Sequence, residues 1–85
     1  MKATFTPAAA KALAAMPKRD SAALMKKIMQ FAAAPFAPNP AAKHLTGMNG
    51  AVRVRHGDWR AICRVNRGIE TVVVEFVGNR KEIYR

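Results

Sequence analysis

Hydrophobic and basic residues alternate along Val52-Arg53-Val54-Arg55, and after Gly57-Asp58 a second strand-like run follows as Trp59-Arg60-Ala61-Ile62-Cys63-Arg64. Alternation sends successive side chains to opposite faces of a β-strand. Two such runs joined by Gly57-Asp58 make a hairpin, and a two-residue turn fixes the pairing. Arg55 then stands opposite Arg60, and Arg53 opposite Ile62, on one face. Val54 and Val52 meet Ala61 and Cys63 on the other, the face that helices are expected to cover. Like charges directly opposite across a strand pair destabilise it. Arg55 against Arg60 therefore makes physical sense where an anion lies between them. A guanidinium is a rigid fork of N–H donors whose shape suits phosphate oxygens.

The remaining sequence supplies the rest of the sheet and its cover. A second hairpin is expected through Asn66-Arg67-Gly68, with glycine in the left-handed position and Arg64 paired with Glu70. Val72-Val73-Val74 is apolar on both faces, the mark of a central strand, and Gly78-Asn79 is expected to break it. Glu82 to Arg85 reads as a last short strand or an ordered tail. Upstream, Lys2 to Phe5 is a short strand. Thr6-Pro7 then opens a helix, with threonine as N-cap and proline at the first helical position. Met16-Pro17 ends that helix. A second opens near Asp20 or Ser21, carries Leu24, Ile28 and Phe31 at i, i+4 and i+7 as its apolar stripe, and stops before Pro35. Phe36 to Pro40 is a turn or extended linker. His44-Leu45 is expected as a short anchored turn, with bends at Gly47 and Gly50. The expected architecture is one α+β domain over residues 1–85, β-α-α-β-β-β with a terminal extension. Its two N-terminal helices pack on one face of a mainly antiparallel sheet.

Charge narrows the partners. Among 85 residues, Lys and Arg total 15 against 5 acids, a net charge of +10. Self-repulsion of this size costs stability and points to an acidic partner. Nucleic acid comes first, then an anionic membrane surface, then an acidic protein. Cys63 is the single cysteine, which excludes an internal disulfide or a cysteine zinc site and suits a reducing compartment. It reads as a small core residue. Lys11 interrupts the N-terminal apolar stretch, so no secretory signal is expected, and no run reaches the length of a membrane span. A cytoplasmic protein without metal or cofactor is the expectation.

Several short motifs carry a family resemblance. Arg53-Val54-Arg55, Gly57-Asp58-Trp59-Arg60-Ala61-Ile62 and Val77-Gly78-Asn79-Arg80-Lys81-Glu82-Ile83-Tyr84-Arg85 together resemble the RelE/ParE family of bacterial toxins. Phe5-Thr6-Pro7 through Leu13 resembles that family's first strand and helix. Asn39-Pro40 through Lys43-His44-Leu45-Thr46-Gly47 resembles its loop before the strands. The resemblance implies the toxin of a type II toxin–antitoxin pair. RelE-like members cleave mRNA in the ribosomal A site without metal, the 2′-hydroxyl attacking the adjacent phosphate to leave a 2′,3′-cyclic phosphate. By position, Arg53 and Arg55 match two basic strand residues that are often lysines. Arg60 matches the phosphate-binding arginine, Arg80 the arginine that supports the leaving group, and Tyr84 the tyrosine that orients the nucleotide. Lys81 joins the RNA-binding set. The implied partners are ribosome, mRNA and a cognate antitoxin whose acidic, amphipathic segment folds on binding. The toxin alone is expected to be a monomer, and the complex a hetero-oligomer.

The chain also departs from the pattern. A lysine of depressed pKa can act as a general base, whereas arginine stays protonated, so Arg53 and Arg55 cannot replace lysine in that role. His56 is a candidate base by its ordinary pKa, or else a turn histidine pointing away from Arg55. His44 is a weaker candidate. Trp59 stands where the family usually has tyrosine, and reads more simply as packing than as a base-stacking residue. Three functions stay open: the RelE-like nuclease, a ParE-like DNA gyrase inhibitor that cuts nothing, and a non-catalytic basic module that binds RNA or protein. Retention of the whole arginine–tyrosine set favours the first.

Overall fold

The computed structural model describes residues 1–45 and 50–79. The expectations placed on Gly47, Arg80, Lys81, Tyr84 and the Glu82–Arg85 strand lie outside the described residues. The elements follow as β1 (Lys2–Phe5), α1 (Pro7–Ala15), α2 (Lys18–Ala33), β2 (Ala42–His44), β3 (Ala51–His56), β4 (Trp59–Asn66) and β5 (Thr71–Asn79). The strands form one sheet in the order β1-β5-β4-β3-β2, with β1 parallel to β5 and the other pairings antiparallel. No helix among the described residues is long and apolar enough to cross a membrane.

Helix α1 starts as its sequence dictates. The Thr6 hydroxyl accepts from the Ala9 amide at 3.2 Å and donates to the Glu75 carbonyl at 2.7 Å, so one side chain caps the helix and ties it to β5. Helix α2 begins earlier than expected, at Lys18, with Pro17 in the capping position. Proline fixes its own φ and has no N–H to leave unpaired, so the helix can follow it directly. Asp20 thus sits in the first turn, where a carboxylate faces the positive end of the helix dipole. Leu24, Ile28 and Phe31 are buried, as their spacing predicts. They meet Val52, Val54, Ala61, Cys63, Val72 and Val74 in the core. The helix-covered face of the first hairpin is the one the sequence indicates.

Three local expectations are corrected. His44 and its neighbours form a strand rather than a turn, with Lys43 opposite Arg53 and His44 opposite Val52. Three residues with no apolar alternation carry little strand signal, and it is the free edge of β3 that recruits them. In the second hairpin Arg64 lies opposite Val73 and Asn66 opposite Thr71, so Arg64 does not meet Glu70. The Asn66 side chain accepts from the amides of Gly68 and Ile69 at 3.0 and 3.3 Å, and Glu70, not Gly68, takes positive φ at 49°. Arg64 Nε instead donates to Glu75 at 3.1 Å. Finally, Gly78 and Asn79 do not break β5 but belong to it, paired with Arg60 and Trp59.

Strand β5 also contains a bulge. Cys63 pairs with Val74 while Ile62 pairs with Phe76, leaving Glu75 as the extra residue. Beneath it, burial and then the nearby Glu75 charge push the Cys63 thiol up to about 12. The native thiol is therefore expected to resist a disulfide reagent at pH 8 and to react promptly once the chain is unfolded. Stability should also fall as pH rises from about 9 towards 12, because the unfolded chain then releases a proton that the native state retains. Native-state labelling as fast as in denaturant would contradict the burial.

Candidate functional site

The helix-free face of the sheet carries the basic residues. Register places Arg55 opposite Arg60, as the hairpin predicts, and Arg53 opposite Ile62. Gly57, at φ 57°, occupies the first central position of the two-residue turn, as a II′ hairpin requires. One row across the sheet reads Lys43, Arg53, Ile62, Phe76, and the next reads Arg55, Arg60, Gly78. Rows on one face repeat about every 7 Å along a strand, and strands lie about 5 Å apart. Two like-charged pairs, Lys43 with Arg53 and Arg55 with Arg60, thus face each other on neighbouring strands.

The arginines are held differently. Arg55 is exposed and borders an open cleft of about 610 Å³ that also receives Lys27, Gln30, Asn39 and Ala41. Arg60 is only 8% exposed. Its Nη1 donates to the carbonyls of Gly57 and Trp59 and so clasps the turn beside it. Its Nε is buried without a hydrogen-bond partner among the described residues. The ion pairs among the described residues, His56 with Asp20 and Arg64 with Glu75, leave Arg55 and Arg60 without a carboxylate. Opposite Arg60 stands Gly78, which adds no side chain to the face.

His56 is not brought together with the arginines. It shares the parity of Val52 and Val54, so it lies on the helix side, its Nε2 3.6 Å from an Asp20 oxygen of α2. Trp59, opposite it in the register, belongs to the same side and packs against the core. His44 also falls on the helix side, in a groove with Phe31 and Phe36. Among the described residues no group of three or more His, Cys, Asp and Glu is placed to hold a metal ion. Lys43 and Phe76 are the members of the basic face that sequence reasoning missed. The strand containing Lys43 had no pattern to show it, and the parity of Phe76 depends on the bulge.

A helix pair on one face of a five-stranded sheet is also the fold of several solved toxin structures. The isolated E. coli RelE toxin matches with a TM-score of 0.80 at 24% identity, over 98% of this chain and 89% of that one. The toxin–antitoxin complex RelBE2 from Mycobacterium tuberculosis matches at 0.75 and 26% identity, over 93% and 96% of the two chains. A YoeB/ParE toxin from Agrobacterium tumefaciens matches at 0.77 and 20% identity, over 93% and 98%. No curated protein sequence matches the chain. The sequence profile of the ParE toxin of type II toxin–antitoxin systems, parDE, matches residues 3–84. The chain belongs to this RelE/ParE family of type II toxins.

Proposed function

We propose that this toxin is a ribosome-dependent endoribonuclease that cleaves mRNA in the A site by attack of a 2′-hydroxyl on the adjacent phosphate. The observation that carries the reading is Arg55 set directly opposite Arg60, beside Arg53, on the face the helices leave open. Charge develops on the phosphorane oxygens in the transition state, and donors fixed in advance around that position lower its energy. Arg53, Arg55 and Arg60 supply this cationic bed. Arg80, Lys81 and Tyr84 join the site by resemblance, Arg80 supporting the leaving 5′-oxygen and Tyr84 orienting the nucleotide. A guanidinium is no base, so the role of the arginines is electrostatic.

The partner that silences this face is a cognate antitoxin. Solved relatives such as the E. coli RelBE complex are toxin–antitoxin pairs, and a net charge of +10 calls for an acidic segment that folds as it wraps the toxin. The second reading is inhibition of DNA gyrase, favoured by the ParE description of the matching profile.

One experiment separates the two. Purified toxin is added to a translating extract and mRNA 5′ ends are mapped by primer extension, beside a gyrase supercoiling assay. Cuts inside A-site codons are expected, reduced at least ~10²-fold by Arg55→Ala and unchanged by His56→Gln. Intact mRNA with arrested supercoiling would transfer the reading to gyrase, and loss of cutting in His56→Gln would restore that histidine as the base.

A further inference from the structure

The side chain that the arginines do not explain is Phe76. It is 60% exposed on the face that also carries Lys43, Arg53, Arg55 and Arg60, while its neighbours Val77 and Val74 are buried. The bulge is what puts it there. Had the pairing run on without the bulge, Glu75 would fall opposite Ile62, Phe76 opposite Ala61 and turned into the core, and Val77 opposite Arg60 on the outer face. Bulges re-aim side chains next to functional sites, and this one aims an aromatic ring out of the core and onto the arginine face.

Its surroundings define the ligand. Phe76 lies directly across from Ile62, which is 5% exposed, so the ring stands beside a filled, apolar patch of sheet. Arg60 is its diagonal neighbour on β4, and diagonal neighbours across strands lie about 7–8 Å apart. An exposed aromatic set among cations on a rigid sheet is the arrangement that stacks unpaired bases while the cations hold the backbone. We propose that Phe76 is a stacking platform for a nucleobase of single-stranded RNA, next to the phosphate held by Arg55 and Arg60. This rests on the RNA-directed reading above and adds to it a base subsite. Gly78, two residues on, carries no side chain that would separate the ring from Arg60 along β5.

The test is the affinity of the purified toxin for two probes at one fixed salt concentration. One is a short 2′-O-methyl oligouridylate, which cannot be cleaved. The other has the same backbone with abasic residues. Phe76→Ala is expected to weaken binding of the first about ten-fold and leave the second unchanged. Phe76→Trp should keep the wild-type affinity, and Phe76→Leu, apolar but without a π-face, should behave like alanine. Equal effects on both probes, or no effect on either, would overturn the stacking role while RNA binding itself stood. A wild type that binds neither probe would overturn the subsite on the isolated toxin, whereas the RNA-directed reading itself falls only if the translating extract shows no mRNA cuts.

Discussion

Arg60→Ala is expected to slow mRNA cleavage by about 10²–10³-fold, the cost of removing one preorganised donor from a transition-state site. The same change should destabilise the fold by about 1–3 kcal/mol, because the Arg60 guanidinium clasps the carbonyls of Gly57 and Trp59. These effects share one side chain and must be separated. Single-turnover cleavage gives the first and urea unfolding the second. Arg60→Lys keeps the charge but loses the fork that reaches several acceptors at once. It should recover part of the stability and little of the rate. Arg19→Ala, an exposed arginine of α2, removes the same net charge away from the sheet and should change neither quantity appreciably. An Arg60→Ala protein that is fully folded and cleaves at the wild-type rate would remove Arg60 from the site and leave it a clasp of the turn. The buried Nε without an acceptor among the described residues argues against that outcome, since buried donors are rarely left unsatisfied.

What could be read beforehand, and what could not, follows from how local each determinant is. The Arg55–Arg60 register was legible because Gly57-Asp58 admits only a tight turn, and a tight turn leaves no freedom in pairing. The apolar stripe of Leu24, Ile28 and Phe31 was legible because its period is set within one helix. The start of α2 was not, since a proline cap competes with Asp20 and Ser21 and only the packing decides. The second hairpin misled because Gly68 looked like its left-handed residue, whereas the Asn66 side chain closes the loop and moves positive φ to Glu70. Strand β2 and the bulge at Glu75 are tertiary features: one exists because β3 has an edge to pair with, the other because β4 and β5 slip by one residue. Those two features bring Lys43 and Phe76 onto the arginine face, so the same non-local events that hid them enlarged the candidate site. The cationic centre was written in the sequence, and its apolar and lysine flanks were made by the fold.

Phe31→Ala is expected to cost about 3–5 kcal/mol, a large share of the roughly 4–13 kcal/mol available to a domain of this length. Phe31 is 2% exposed and is among the largest fully buried side chains. Much of the surrounding core is small: Ala9, Ala32 and Ala61 are all buried, so little bulk is at hand to fill the space. The valines of the sheet are β-branched, with χ1 angles too restricted to swing into a cavity. For a chain of this size each kcal/mol moves the melting temperature by about 4–8 °C, so a fall of at least ~12 °C is expected by calorimetry. Phe36 provides the control. The same residue type sits 57% exposed, five positions on, with the Arg67 guanidinium 4.3 Å from its ring centre. Phe36→Ala should cost no more than about 1 kcal/mol, the value of one exposed cation–π contact. Added salt screens the self-repulsion of the basic chain and should raise both variants alike, leaving the difference between them intact. A Phe31→Ala protein that melts within a few degrees of the wild type would mean that something other than this ring holds α2 to the sheet. The arginine face, built on the far side of that same layer of valines, would then not depend on the helix for its geometry.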